Sequence, residues 1–341
     1  NSKKNETLEV LNIFKNHPQI TVLYSGKSLG ISGATNLAAS RAQGDYFAFI
    51  DHDDTLVEHA VEKIIDEILN NDKPDILYSD EDKIDLNSNY VEPYFKPDFS
   101  PEYLHSFMYM LHIFILKKSL FETLGGLRSK YDGAQDYDLA LRATDFSNSV
   151  HHIREILYHW RMIDGSASMQ NDAKPWALEC GLLALNDFLS KSNGFAEKGL
   201  SPGIFRARYP LNKNERVTLV IISAGFSRYV NNKGEVILIK NFIESIIKKT
   251  TFKNYDLLVI NSGYIDDETK NLILSINGKI IDFPLKGNFN FGKAINYSIQ
   301  FIENEFVVFL NDDLEVISDD WIESLAELLK IDKVGAVGGK L

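Results

Sequence analysis

Two apolar runs in this sequence, Tyr46 to Ile50 and Phe306 to Leu310, stand 260 positions apart, and each runs into an acidic loop. Asp51-His52-Asp53-Asp54 follows the first, and Asn311-Asp312-Asp313 closes the second. Other positions keep the same offset: Ala34 and Asn36 match Ala294 and Asn296, Phe49 matches Phe309, Asp53 matches Asp313, and Asn1-Ser2 line up with Asn261-Ser262. Identities are few; the repeated order of helix, strand and acidic loop is what marks a duplication. A chain that repeats such a unit is expected to fold as two similar domains, and 341 residues suffice for each to enclose a core.

Short apolar strands alternate with amphipathic helices in both halves. Ile20 to Tyr24 is β-branched and reads as a strand, Ala34 to Ala42 as a helix, and the continuous run Tyr46 to Ile50 as a strand buried on both faces of a parallel sheet. Val57 to Leu69 has helical spacing and stops before Pro74, and Asp75 to Ser79 reads as the next strand. The prolines at 93, 97 and 101 suggest an irregular surface connection. Helices are expected at Lys118 to Leu124 and Gln135 to Arg142. From Lys191 to Glu215 the text turns to Gly, Ser, Pro, Lys and Asn without period. The pattern then restarts: strand Val217 to Ile222, helix Glu235 to Ile247, strand Tyr255 to Ile260, then helix, strand and helix. The expected class is α/β, with domains at 1–200 and 216–341, a linker at 201–215, and in each domain a mainly parallel sheet flanked by helices.

Composition removes several functions. The net charge of −12 disfavours a protein that binds by neutralising nucleic-acid phosphates. The most apolar stretch, Phe107 to Leu116, is interrupted by His112 and is well short of the roughly 20 residues a membrane helix needs. The opening residues, Asn1 to Glu6, are not followed by the apolar core of a signal peptide and do not include a starting methionine. The single cysteine, Cys180, excludes an internal disulfide and suits a reducing compartment.

The chemistry-bearing residues sit at element ends. Asp51, Asp53 and Asp54 emerge at the carboxyl edge of the sheet, where open α/β sheets bind ligands. Carboxylates so close repel unless a cation is shared, and hard oxygens in small number suit Mg²⁺ or Mn²⁺; the alternative is a solvated loop with Asp54 or Thr55 capping the next helix. Asp136 and Asp138 open a helix, where the macrodipole favours carboxylates even without a catalytic role. His159-Trp160-Arg161, with Gly165-Ser166 beyond, offers an aromatic face and a guanidinium for phosphate. Asp80-Glu81-Asp82 reads as a solvated acidic turn, and Lys27, Gly30 and Gly33 as a loop weakly suited to phosphate before a helix.

Taken together, SLGISGATNLAASRAQGDYFAFIDHDDTL, LYSDEDK, PYFKPDFSPEYL, GAQDYDLALR and LYHWRMIDGSAS in the first copy, with NFNFGKAINYSIQFIENEFVVFLNDDLEVISDDWIESL and GAVGGKL in the second, resemble the family 2 glycosyltransferases of GT-A fold, of the two-domain type found in bacterial O-antigen and capsule assembly. The resemblance implies two GT-A-like domains and an inverting, metal-dependent transfer of a sugar from a nucleotide-diphosphate donor to a hydroxyl of a glycan or lipid-linked glycan. It makes Asp51 and Asp53 the DXD pair, Asp53 as direct ligand of Mn²⁺ or Mg²⁺ and Asp51 facing the nucleotide ribose. Asp136 takes the place of the base, although Gln135-Asp136 stands where many relatives have Glu-Asp. Arg161 falls where relatives contact the donor diphosphate, Asn36 on the nucleotide side, and Trp160 and Asp138 on the substrate side. Relatives' metal-binding His two residues after the arginine is Ile163 here, and His159 is the candidate replacement. Ser28 and Thr35 depart from the Asn and Arg of many relatives. A cytoplasmic location is implied, with peripheral attachment to the inner face of the plasma membrane left open.

Two other readings stay open. Phe49 to Thr55 fits the hydrophobic-DxDxT pattern of haloacid-dehalogenase-like phosphatases, with Asp51 as nucleophile and Asp53 as acid. One or both copies could instead bind glycan without chemistry. The offset and the resemblance also lead us to expect that both copies are incomplete, the first without opening strands that hold the base in relatives and the second ending at Gly339-Lys340-Leu341 before a base of its own, so that this stretch by itself is weak or inactive.

Overall fold

The computed structural model describes residues 5–163, 175–284 and 288–339. The residue pairs Asn1-Ser2, Gly165-Ser166 and Lys340-Leu341 lie outside the described residues. Contacts divide the chain into two compact units, Asn1–Ala207 and Arg208–Leu341.

The first unit runs α1 Asn5–Ile13, α2 Gly30–Ala39, β1 Tyr46–Phe49, β2 Thr55–Leu56, α3 Ala60–Asn70, β3 Ile76–Ile84, β4 Tyr90–Tyr94, α4 Pro101–Leu104, β5 Phe114–Lys117, α5 Lys118–Thr123, α6 Gln135–Phe146, β6 Val150–Arg161, α7 Pro175–Leu189, β7 Phe195–Lys198 and β8 Phe205–Arg208. The sheet order is β1-β5-β3-β6-β2, with β4 paired to β3. Leu77, Ile115, Ile153 and Leu157 from three of these strands bury against Ala60 and Ile64 of α3. Each such aliphatic side chain contributes about 1.5–3 kcal/mol on leaving water. β7 and β8 form a separate two-stranded sheet, so part of the expected linker is strand.

The second unit runs β9 Val217–Ser223, β10 Ser227–Val230, β11 Gly234–Ile237, α8 Leu238–Lys249, β12 Tyr255–Asn261, α9 Asp267–Ser275, β13 Lys279–Asp282, α10 Phe291–Ser298, β14 Phe306–Asn311 and α11 Trp321–Ala326. Its main sheet, β13-β12-β9-β14, is parallel at every pairing. All seven residues of β9 are buried, as a central strand covered on both faces requires. The helix expected from Glu235 begins at Leu238, because Gly234–Ile237 pairs with Ser227–Val230 instead.

A mainly parallel sheet is therefore what the second unit has, whereas the first is mixed. Among the described residues of the first unit, β3 with β6 is the parallel pair, and β1, β2, β4 and β5 all pair antiparallel. Ile20 to Tyr24 forms no strand and is largely exposed. A strand exists only through partners for its backbone groups. The counterpart of this segment, β13, is held by β12, and among the described residues Ile20 to Tyr24 pairs with no strand. Nor is Tyr46–Phe49 buried on both faces: Phe47 packs edge-on to Phe121 with centroids 5.2 Å apart, while Ala48 is exposed.

Gly225 shows how closely the second unit is built. Its φ is +75°, and an added Cβ would overlap the Tyr264 carbonyl oxygen. Gly225→Ala should therefore cost more than the about 1–3 kcal/mol of the backbone conformation alone; urea unfolding followed by circular dichroism measures it, and an unchanged midpoint would contradict this close approach.

Candidate functional site

The acidic loop after β1 is anchored from β6. Tyr158 donates its hydroxyl to Asp54 Oδ2 and accepts the Asp51 N–H at 3.2 Å. The Arg161 N–H donates to Asp54 Oδ1 at 2.8 Å, and Arg161 Nε to the Asp53 carbonyl at 2.6 Å. Burial raises the Asp54 carboxyl above its ordinary value, against these hydrogen bonds. Asp54 and Thr55 are therefore not helix caps: Thr55 belongs to β2, opposite His159, and the residue before α3 is His59. With Asp54 occupied, Asp51 and Asp53 remain as the carboxylates of the loop. His52 Nδ1 lies 3.5 Å from Asp53 Oδ1. Two hard oxygen donors suit Mg²⁺ or Mn²⁺ shared with phosphate oxygens, rather than an all-protein cage. Among the described residues no three His, Cys, Asp or Glu side chains form a metal-holding group.

Asp51 shares a cavity of about 690 Å³ with His112, Gln135 and Asp136. α2 and β1 supply its apolar side, where Ala34 lines the wall. In the second unit the matching Ala294 is wholly buried beneath Val220 and Ile222 of β9 and Leu258 and Ile260 of β12. The apolar side of this cavity thus corresponds to a surface that the second unit buries. Asp136 opens α6 with Oδ1 accepting the Tyr137 N–H at 2.7 Å. Desolvation raises its pKa above the ordinary carboxylate value, against that hydrogen bond and the His112 ring. Gln135 Oε1 turns back to accept the Gly133 N–H at 2.7 Å.

His159, Trp160 and Arg161 end β6. His159 is buried, with Nδ1 on Asp82 and its ring stacked 4.2 Å from Tyr90. A carboxylate on one nitrogen is how ligating histidines are oriented, yet the structure does not gather His159 with Asp51 and Asp53 into one ligand set. The Trp160 ring is 5.2 Å from His112 and 5.8 Å from Lys83 Nζ.

Several residues expected at the site, or in solvent, are built into the scaffold. Asn36 binds the Leu127 backbone twice, donating to its carbonyl at 2.8 Å and accepting its N–H at 2.9 Å; its amide is turned to the protein rather than to a nucleotide. Asp138 is buried between Arg128 and Arg142, with Arg142 Nη2 at 2.8 Å, which commits its carboxylate to two guanidinium groups. The start of α2 after Lys27 and Gly30 is closed to phosphate, because Asp132 accepts the Ile31 and Ser32 N–H groups at 3.2 and 3.0 Å. Asp80 and Asp82 are no solvated turn but buried residues of β3. Sequence reading gave no role to His112, Tyr158 or Lys96. The available signals were a lone histidine inside an apolar run and acids alternating along a strand.

The first unit thus sets two carboxylates on the loop after a sheet strand and a third, desolvated, on the cavity that Asp51 lines. The family model for glycosyl transferase family 2 matches residues 1–125 and 232–341, and the chain belongs to that family. Over 345 residues it is 30% identical to the uncharacterized protein y4gI of Sinorhizobium fredii, covering 98% of this chain and 37% of that one. It is 29% identical over 325 residues to the O-antigen biosynthesis protein RfbC of Myxococcus xanthus, covering 95% of this chain and 25% of that one. The chain thus spans 37% and 25% of the length of these relatives. Among solved structures, S. aureus TarS 1–349 aligns with TM-score 0.40 at 15% identity, covering 56% of this chain and 61% of that chain.

The burial of Asp138 separates a scaffold role from a substrate role. Asp138→Ala leaves the Arg142 charge unpaired and should cost about 3–5 kcal/mol in chemical denaturation. A variant of parental stability that had lost turnover would return Asp138 to the substrate side.

Proposed function

We propose that the first unit transfers a sugar from a nucleotide-diphosphate donor to a hydroxyl of a growing cell-surface glycan. The observation that carries this is the position of Asp136: a desolvated carboxylate across one cavity from Asp51, at the end of the strand that delivers the acidic loop. Family membership and the likeness to a protein of O-antigen biosynthesis support the substrate class.

In this reading Asp136 accepts the proton of the acceptor hydroxyl as its oxygen bonds to the anomeric carbon. The bond from that carbon to the diphosphate breaks on the opposite face, so configuration inverts. Asp51 and Asp53 would hold a divalent ion, whose charge offsets the negative charge of the leaving diphosphate. The Arg161 guanidinium, beside Asp53, lies toward the same phosphates, and Trp160 toward the acceptor. The raised pKa of Asp136 suits a base, because a more basic carboxylate takes a proton more readily at neutral pH.

The sign of the pH dependence follows. A base works deprotonated, so activity rises with pH, and a raised pKa moves the acidic limb above the range of an ordinary carboxylate. Asp136→Asn should lower turnover about 10²- to 10⁴-fold and remove that limb while nucleotide affinity stays. Asp53→Ala should weaken Mn²⁺-dependent binding of nucleoside diphosphates. A panel of nucleotide sugars assayed for transfer and for hydrolysis with Mn²⁺ tests both; full turnover by Asp136→Asn would overturn the assignment.

A further inference from the structure

His112 borders the cavity that holds Asp136 and Asp51. Its ring stacks on Tyr158 at 4.9 Å and lies 5.2 Å from Trp160. Nδ1 is buried without a hydrogen-bond partner, 3.4 Å from Glu81 Oε2 at an ion-pair distance. An imidazole packed among aromatic rings is common in protein cores, and stacking alone would give it no role.

The way its backbone is held is less ordinary. Glu81 accepts the His112 N–H and lies 3.2 Å from Lys96 Nζ. Lys96 Nζ in turn donates to the carbonyls of Leu111 at 2.6 Å and His112 at 3.0 Å. The Lys96 side chain is wholly buried, and desolvation pulls its ammonium down to about 8 despite the adjacent carboxylate. Burying two ions is costly, and an apolar pair of the same size is often as stable. What an ion pair adds is a fixed set of directions, here spent on one turn at the cavity wall.

We propose that His112 hydrogen-bonds the attacking hydroxyl in the Asp136 cavity, and that Glu81 and Lys96 are positioning residues that hold the turn presenting it. The proton still goes to Asp136; His112 fixes where the nucleophile's oxygen stands. This rests on the assignment of Asp136 as base. The geometry requires no acceptor of known identity, because water can occupy the same place.

The test is hydrolysis of UDP-, GDP- and dTDP-sugars by the full chain with Mn²⁺, following released nucleoside diphosphate. His112→Ala should lower kcat about 10- to 100-fold, as misplacing a nucleophile does, with donor KM and UDP or GDP affinity within about twofold of the parent. His112→Gln, which keeps a polar group, should recover part of that loss, and Glu81→Gln should show the same kcat-selective defect in weaker form. Unchanged kcat in His112→Ala, a loss shared equally by nucleotide affinity, or a Gln variant no better than Ala with a lowered melting temperature would each overturn the inference. A parent that binds none of these nucleotides overturns the glycosyl-transfer reading itself, and one that binds nucleotide without hydrolysis overturns the Asp136 role beneath the inference.

Discussion

Three consecutive acids on one strand, Asp80, Glu81 and Asp82, are withdrawn from water, and each requires a positive or hydrogen-bonding partner. Asp80 takes His152 Nε2 at 2.9 Å and the Lys96 N–H at 2.8 Å. Glu81 takes Lys96 Nζ and the His112 backbone. Asp82 takes His159. These partners come from β6, from the segment after β4, and from the turn before β5. Satisfying β3 therefore fixes what lies on both sides of it. The β3–β6 pairing shifts register between Ser79 and Glu81, and the histidines paired to Asp80 and Asp82 lie seven residues apart along β6 although the acids are two apart. An apolar strand would pack without demanding this.

The acidic loop inherits its position from the same strand. β6 carries Tyr158, His159 and Arg161 in sequence: His159 locks the strand to Asp82, while Tyr158 and Arg161 lock the loop through Asp54. Asp54 is thus a structural acid, and Asp51 and Asp53 remain as the other carboxylates of the loop. On the far side of the cavity Asp136 forms no ion pair among the described residues, and burial raises its pKa. The carboxylates differ in surroundings, not in chemistry, and that difference sets a carboxylate committed to the scaffold apart from one whose proton affinity is raised by burial.

Much of this was legible in the text and some was not, for identifiable reasons. The helix at Ala60–Asn70 shows its apolar period, and β9, β12 and β14 show continuous apolar runs, because these elements are defined by local spacing. The acidic loop at a strand end is visible for the same reason. Ile20 to Tyr24 has every local mark of a strand, but strand formation depends on a partner that spacing does not report. The scaffold contacts of Asn36, Asp132 and Asp138 were hidden for a second reason. Their partners, Leu127, Ile31 and Arg128, are remote or unpaired in any motif, so a polar residue committed to the scaffold looks the same as one waiting for a ligand. Asp80 and Asp82 failed similarly: burial of acids is decided by a histidine strand seventy residues later.

The duplication shows how one sequence motif can be set in two ways. α10 is capped locally, with Asn290 accepting the Lys293 N–H at 2.9 Å. The equivalent helix α2 follows Leu29, which cannot cap it, and its free N–H groups are met by Asp132, about a hundred residues on. Asn36, one turn further along, ties the same helix to Leu127. Asp132 and Leu127 both belong to the approach to α6, the helix that opens with Asp136. A local cap would have stabilised α2 alone. The distant one couples the wall of the cavity to the segment that leads into α6, so that in the first unit the orientation of α2 and the placement of Asp136 are set by one group of hydrogen bonds.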